Sequence, residues 1–248
     1  DFMHQKSEGF PINSADLFIE HMQYIAANTK TNGGEIEFVT SVGDVWQHLG
    51  VHLDDEHAAR GFPGILFTPR LGIKQIKKGI DEFELPMTRK GYDLLAETGV
   101  PFGVAPGNHD YDTGYQYNPF PNDPDPRARI RKEKMIPNRH VGGYNTFNGV
   151  FGPSSKYFRN KNWYISSYNG GVNSAQLFEA GGYQFLYFSF EMQVGDYVLH
   201  WAQGVIDDHL GLPTIMSTHD FLNPRGERKP SPVYDLASVD PLDHNSAE

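Results

Sequence analysis

Three times along this chain, a short apolar run of the kind that forms a β-strand stops at a polar cluster. Ile36 to Val42 runs into Gly43-Asp44, Pro101 to Ala105 into Pro106-Gly107-Asn108-His109-Asp110, and Pro213 to Ser217 into Thr218-His219-Asp220. Such runs, bounded by Gly, Pro and Asn, read as strands, the first of them buried and leading into a loop. Helical spacing appears between them. Leu17, Phe18, Met22 and Ile25 behind Ser14 as N-cap predict a helix over 15–28. A second helix is predicted over 87–98, stopped by Gly99, and a third over 195–209, with Val198, Trp201, Val205 and Ile206 on one side. Strands alternating with helices specify an α/β fold. In open α/β sheets ligands bind outside the carboxyl ends of the strands, so the three clusters are candidates for one shared site.

The remaining segments qualify this picture. Runs of β-type residues around 157–168, 175–179 and 183–190, separated by Asn169-Gly170-Gly171 and Gly181-Gly182, read as antiparallel hairpins. Residues 46–85 read as an insertion with a short helix around 70–80. Residues 111–155, rich in Pro, Gly, Asn and Tyr, read as a long loop region, and such regions are often functional. The 248 residues fit one large α/β domain over 1–248, with no internal repeat, and 38% hydrophobic residues are enough for a core.

Composition removes several classes of function. Net charge is −10, from 21 basic and 31 acidic residues, so nothing offsets phosphate repulsion globally and non-specific nucleic-acid binding is not expected. A bound metal pair would reverse that sign locally. The absence of Cys excludes disulfides, thiolate metal sites and a Cys nucleophile. No apolar run reaches the ~18 residues a membrane span needs. There is no Gly-x-Ser-x-Gly elbow and no phosphate-binding P-loop.

Each cluster carries chemistry of its own. A carboxylate directly after a buried strand, as at Asp44, is held rigidly and can bridge two cations, although Gly-Asp alone equally describes a turn or a helix N-cap. Gly107-Asn108-His109-Asp110 is more specific. The amide oxygen of Asn108 is a hard ligand for a divalent ion, and the imidazole of His109 is suited to protonating a leaving alkoxide. The adjacent Asp110 can orient that imidazole. His219, after the third strand, can ligate a metal through a ring nitrogen, but read alone it is an ordinary polar loop residue. The order of the three is what makes coincidence an unattractive account.

Ser41-Val42-Gly43-Asp44-Val45, Gly107-Asn108-His109-Asp110 and Ser217-Thr218-His219-Asp220 resemble, in order and spacing, motifs of the calcineurin-like metallophosphoesterases. Tyr164 to Gly171, Gln176-Leu177-Phe178 and Ala180-Gly181-Gly182 are similar to the bacterial branch of that family, which is often exported, so a periplasmic or secreted location is favoured. The resemblance implies a sandwich of two mixed β-sheets flanked by helices. It also implies a dinuclear centre of iron, zinc or manganese that hydrolyses phosphate mono- or diesters by way of a bridging hydroxide, with a small phosphate ester as substrate. On it Asp44 would bridge both metals, and Asn108 would bind the second metal and touch the substrate phosphate. His109 would act as general acid with Asp110 as its partner, and His219 would bind the second metal.

Two departures accompany the resemblance. The family's first motif is Asp-x-His or Asp-x-Gln. Here Asp1-Phe2-Met3 stands at the matching distance, so Asp1 is a candidate first-metal ligand, while Met3 is a poor donor for a hard cation and His4 or Gln5 would have to replace it. The family's last motif, Gly-His-x-His, is absent, and the expectation is an incomplete domain at both ends. The alternative is a catalytically degenerate relative that serves as a binding module. The basic run Arg127, Arg129, Arg131, Lys132 and Lys134 reads as a solvated helix face, with recognition of an anionic substrate as the alternative. His48, His52 and His57 read as surface residues, with the edge of the site as the alternative. Tyr111, Tyr115 and Tyr117 suit loop packing or an aromatic leaving group equally.

Overall fold

The computed structural model describes residues 14–46, 80–107, 109–110, 113–116, 139–142, 144–192, 194 and 196–219. The elements run α1 (Ser14–Ala27), β1 (Val39–Ser41), α2 (Leu85–Thr98), β2 (Phe102–Val104), β3 (Thr113–Gln116) and β4 (Arg139–Gly142), followed by α3 (Asn145–Phe151), β5 (Tyr164–Tyr168), β6 (Asn173–Ala180), β7 (Tyr183–Ser189), α4 (Asp196–Asp208) and β8 (Thr214–Ser217). A π-helical turn over Ile80–Glu84 leads into α2. The architecture is mixed α/β, as the alternation of patterns predicts.

Pairing follows the turn chemistry. β1 and β2 are parallel, with Val39 opposite Phe102 and Ser41 opposite Val104. β5, β6 and β7 form an antiparallel meander in which Ala180 faces Tyr183 across the predicted Gly181-Gly182 turn. β8 joins β7 in parallel, the chain returning through α4, because parallel neighbours need a crossover. β3 and β4 pair antiparallel in a separate ribbon.

The period-2 alternation of β7 distributes its side chains between two interiors. Leu186 and Phe188, both fully buried, pack with Ala175 against Val198, Ala202 and Val205 of α4. Tyr187, between them in sequence, points to the opposite face, where its hydroxyl bonds Thr40 of β1 and Ser217 of β8. Phe38 stacks on Phe178 of β6 with ring centroids 4.3 Å apart, so the β1–β2 pair lies face-on against the larger sheet. Behind β2 a second core gathers Met22 of α1, Tyr92 and Leu95 of α2, Phe147 and Phe151 of α3, and Phe102. Full burial of one such side chain contributes about 1.5–3 kcal/mol. Helices therefore cover the outer faces of the β1–β2 pair and of the four-stranded sheet.

Several expectations change. The buried strand expected over Ile36 to Val42 is a strand only at Val39–Ser41; it is half-buried, and Val42 is 52% exposed. Among the described residues β1 has β2 as its only ladder partner, which leaves its other edge without one. The β-run expected from 157 begins at Tyr164; Tyr157 and Phe158 lie in turns, and their burial in the α-side core accounts for their apolar character. The long loop expected over 111–155 contains β3, β4 and α3. Phe147, Val150 and Phe151 stand at helical spacing on α3, a signal masked by Gly149 and the surrounding Asn residues. The helix expected around 70–80, the basic run at 127–134, the histidines at 48, 52 and 57, and Tyr111 and Tyr117 lie outside the described residues. No helix among the described residues is long and apolar enough to cross a membrane.

Candidate functional site

The segments that leave β1 and β2 cross each other in near contact. Gly43 has φ 102°, and a Cβ there would lie 2.3 Å from the Gly107 nitrogen; a Cβ on Gly107 would lie 2.2 Å from Asp44 Oδ1. Only glycine permits backbone and carboxylate to come this close. Asp44 itself holds a left-handed backbone with φ 54°, a conformation that Asp tolerates better than most residues.

This crossing fixes the Asp44 carboxylate. Its Oδ1 accepts the His109 main-chain N–H at 3.1 Å, and its Oδ2 stands 3.5 Å from His219 Nε2. His219 Nδ1 lies 2.7 Å from the Val42 carbonyl oxygen. A carbonyl only accepts, so Nδ1 carries the proton and donates. Nε2 is thereby turned toward the carboxylate. Both side chains remain partly open to solvent, at 35% for Asp44 and 23% for His219.

Asp110 lies beneath this crossing. It is fully buried, and its carboxylate accepts main-chain N–H groups from both crossing segments: Val45 at 2.9 Å, Trp46 at 3.4 Å and Gly107 at 2.7 Å. These contacts make it a staple between the segments. Burial pushes its carboxyl well above the ordinary range, opposed by the main-chain donors and reinforced by the negative charge of Asp44. The staple rests on firm ground. Thr88 Oγ1 in the first turn of α2 donates to the Val45 carbonyl at 3.0 Å, and Trp46, 2% exposed, packs against Phe147 of α3.

Of the residues singled out in the sequence, Asp44, His219 and the His109 backbone come together at the ends of β1, β2 and β8, and Asp110 lies directly beneath. Asp1 and Asn108 lie outside the described residues. No group of three His, Asp or Glu side chains able to hold a metal occurs among the described residues. Glu191 is not among the residues singled out in the sequence. It is 1% exposed, and it accepts the Tyr144 hydroxyl on Oε2 and the Asn173 amide on Oε1 at 2.8 Å. The signal was present, since Glu191 ends the apolar run of β7 just as Asp44 follows that of β1. Comparison with protein-family models, with curated proteins and with solved structures gives no match.

Proposed function

We propose that this protein is a metal-dependent hydrolase of phosphate mono- or diesters, as its resemblance to the calcineurin-like metallophosphoesterases implies. The observation that carries the reading is the disposition of His219. A metal-ligating imidazole typically donates its second ring N–H to a backbone carbonyl or carboxylate, which fixes the tautomer and aims the other nitrogen at the ion. His219 does this through Val42, with Nε2 and a carboxylate oxygen of Asp44 converging. The donor chemistry fits: carboxylate oxygen and imidazole nitrogen together suit zinc, iron or manganese. Helices over the outer faces of two apposed sheets also agree with the sandwich that the resemblance implies.

In this reading Asp44 and His219 hold metal, joined by Asn108 and Asp1. Two such ions, when bound, supply Lewis acidity toward the phosphoryl oxygens and lower the pKa of water toward about 7. The rest falls to the chain. The His109 N–H and the Gly43–Gly107 crossing keep the Asp44 carboxylate in one orientation, so no reorganisation is needed during reaction. The Asn108 amide N–H would donate to a phosphate oxygen and so stabilise its negative charge. As a water-derived hydroxide forms the new P–O bond and the ester P–O bond breaks, the His109 imidazole would deliver a proton to the leaving oxygen; attack by water is direct, so no covalent phosphoenzyme is needed.

The test is metal analysis of the purified protein together with a screen of aryl phosphate mono- and diesters in Mn²⁺, Zn²⁺ or Fe²⁺. Bound metal and ester hydrolysis, both abolished by chelator, are expected. Metal without hydrolysis of any ester would favour the binding-module reading; neither metal nor hydrolysis would end the proposal.

A further inference from the structure

We infer that Glu191, Asn173 and Tyr144 form a buried clamp that positions His219 through Thr218. The inference rests on the reading of His219 as a site residue and assigns the clamp no contact with substrate. It begins with how β8 ends. Phe190 N–H donates to the Ser217 carbonyl at 2.9 Å, the last main-chain rung of the β7–β8 ladder seen at this end. One residue further along each strand the bond is made by a side chain: Thr218 Oγ1 donates to the Glu191 carbonyl at 3.0 Å. His219 follows immediately, and its Nδ1 reaches the Val42 carbonyl across the gap between β8 and β1. The direction of the imidazole therefore depends on where the Glu191 carbonyl is.

Glu191 is held from three sides. Its N–H donates to Asn173 Oδ1 at 3.0 Å, Asn173 Nδ2 returns a bond to Oε1 at 2.8 Å, and the Tyr144 hydroxyl donates to Oε2. The first two close a ring between the start of β6 and the end of β7. The third reaches the residue preceding α3. Glu191, Asn173 and Tyr144 are 1%, 0% and 6% exposed. Burying a carboxylate is costly unless its oxygens are satisfied, and each oxygen here has a donor. The clamp ties β6, β7 and α3 to one carbonyl, and that carbonyl fixes the last residue before His219.

The test reads His219 directly, so its outcome does not depend on metal or turnover. In protein labelled with ¹⁵N-histidine, the His219 Nδ1–H resonance is identified by its absence from His219→Ala. Its exchange with solvent is expected to quicken roughly two- to tenfold, the factor one ordinary hydrogen bond supplies, in Thr218→Val, Glu191→Gln and Tyr144→Phe. Thr218→Ser, which keeps the hydroxyl, restores the wild-type rate. Trp201→Phe serves as the control for general loosening, because it removes the 3.0 Å bond from Trp201 Nε1 to Ser166 Oγ in the other core. The control should lower Tm and leave the resonance unchanged. Wild-type exchange in Thr218→Val, equal acceleration in Trp201→Phe, or no protected resonance in the wild type would each overturn the clamp. Zn²⁺ titration calorimetry on the same variants separates the two ideas. If His219→Ala leaves Zn²⁺ binding intact, the metal reading fails while the exchange data still decide the clamp.

Discussion

Asp44 keeps a left-handed backbone at φ 54° in order to present its carboxylate where the His109 N–H and the His219 imidazole meet. That conformation costs a residue with a Cβ roughly 1–2 kcal/mol. Asp44→Gly should therefore be more stable than Asp44→Ala by about 1 kcal/mol in urea unfolding; on the proposed function both should lose metal equally, because both lack the carboxylate. Equal stabilities would mean the strain is not there. On the same proposal His109→Ala should behave differently, keeping metal near normal while turnover of an aryl phosphate falls by about 10²–10⁴. If it strips metal as Asp44→Ala does, the imidazole is a ligand. Asp110 gives a pH test. Its folded carboxyl titrates well above the unfolded value of about 3.9, so the proton is held more tightly in the folded state. The stability this supplies is complete below the unfolded value and is lost as pH rises through the folded one. With chelator present, the urea midpoint of wild type should fall relative to that of Asp110→Asn as pH is raised from about 4 to about 8. A gap that stays constant would contradict the shift.

At the level of elements, the site is a consequence of how closely two turns pass. The loops after β1 and β2 approach until Gly107 leaves no room for a methyl group beside Asp44 Oδ1. Gly107→Ala should therefore displace the carboxylate and destabilise the protein by about 1–3 kcal/mol, and on the proposed function it should weaken metal binding. Gly149→Ala on α3, where a Cβ meets nothing within 4 Å, should raise stability by roughly 0.5–1 kcal/mol and leave the site untouched. Comparable losses at both positions in thermal melts would show that the crossing is not tight. The elements also show what periodicity can reveal. α1, α2 and α4, at 14, 14 and 13 residues, were legible because they are long enough to show a helical pattern or a stop signal in spite of Gly91 and Gly204. α3 was not, because its seven residues carry the same spacing broken by Gly149 and Asn148.

For the whole molecule, the question is whether two apolar cores on opposite sides of the sheets unfold as one. Leu95 sits in the core under α1–α3 and Leu186 in the core under α4, each with no exposed surface. Tyr187, Thr40 and Ser217, with Phe38 stacked on Phe178, join the sheets between the two cores. Leu95→Ala and Leu186→Ala should each cost about 2–5 kcal/mol. Each should shift a single transition seen identically by tryptophan fluorescence and far-UV circular dichroism. Two separated transitions in either variant would show that the sheet interface does not couple the cores.

The sequence by itself determined the α/β alternation, the Gly181-Gly182 hairpin and the placement of Asp44, His109 and His219 at strand ends, because each depends on local spacing of residue types that the backbone enforces within a few residues. Tertiary structure alone decided that Asp44 Oδ2 and His219 Nε2 stand 3.5 Å apart, although 175 positions separate them in the chain (219 − 44). It also decided the work of Asp110, whose neighbour in sequence is His109 but whose bonds run to Val45, Trp46 and Gly107. Glu191 makes the same point from the other direction: a carboxylate after an apolar strand reads alike whether it faces a site or is buried behind one. A side chain's role follows from which donors surround it and how much water it keeps, and both are set by segments that meet only when the sheets pack.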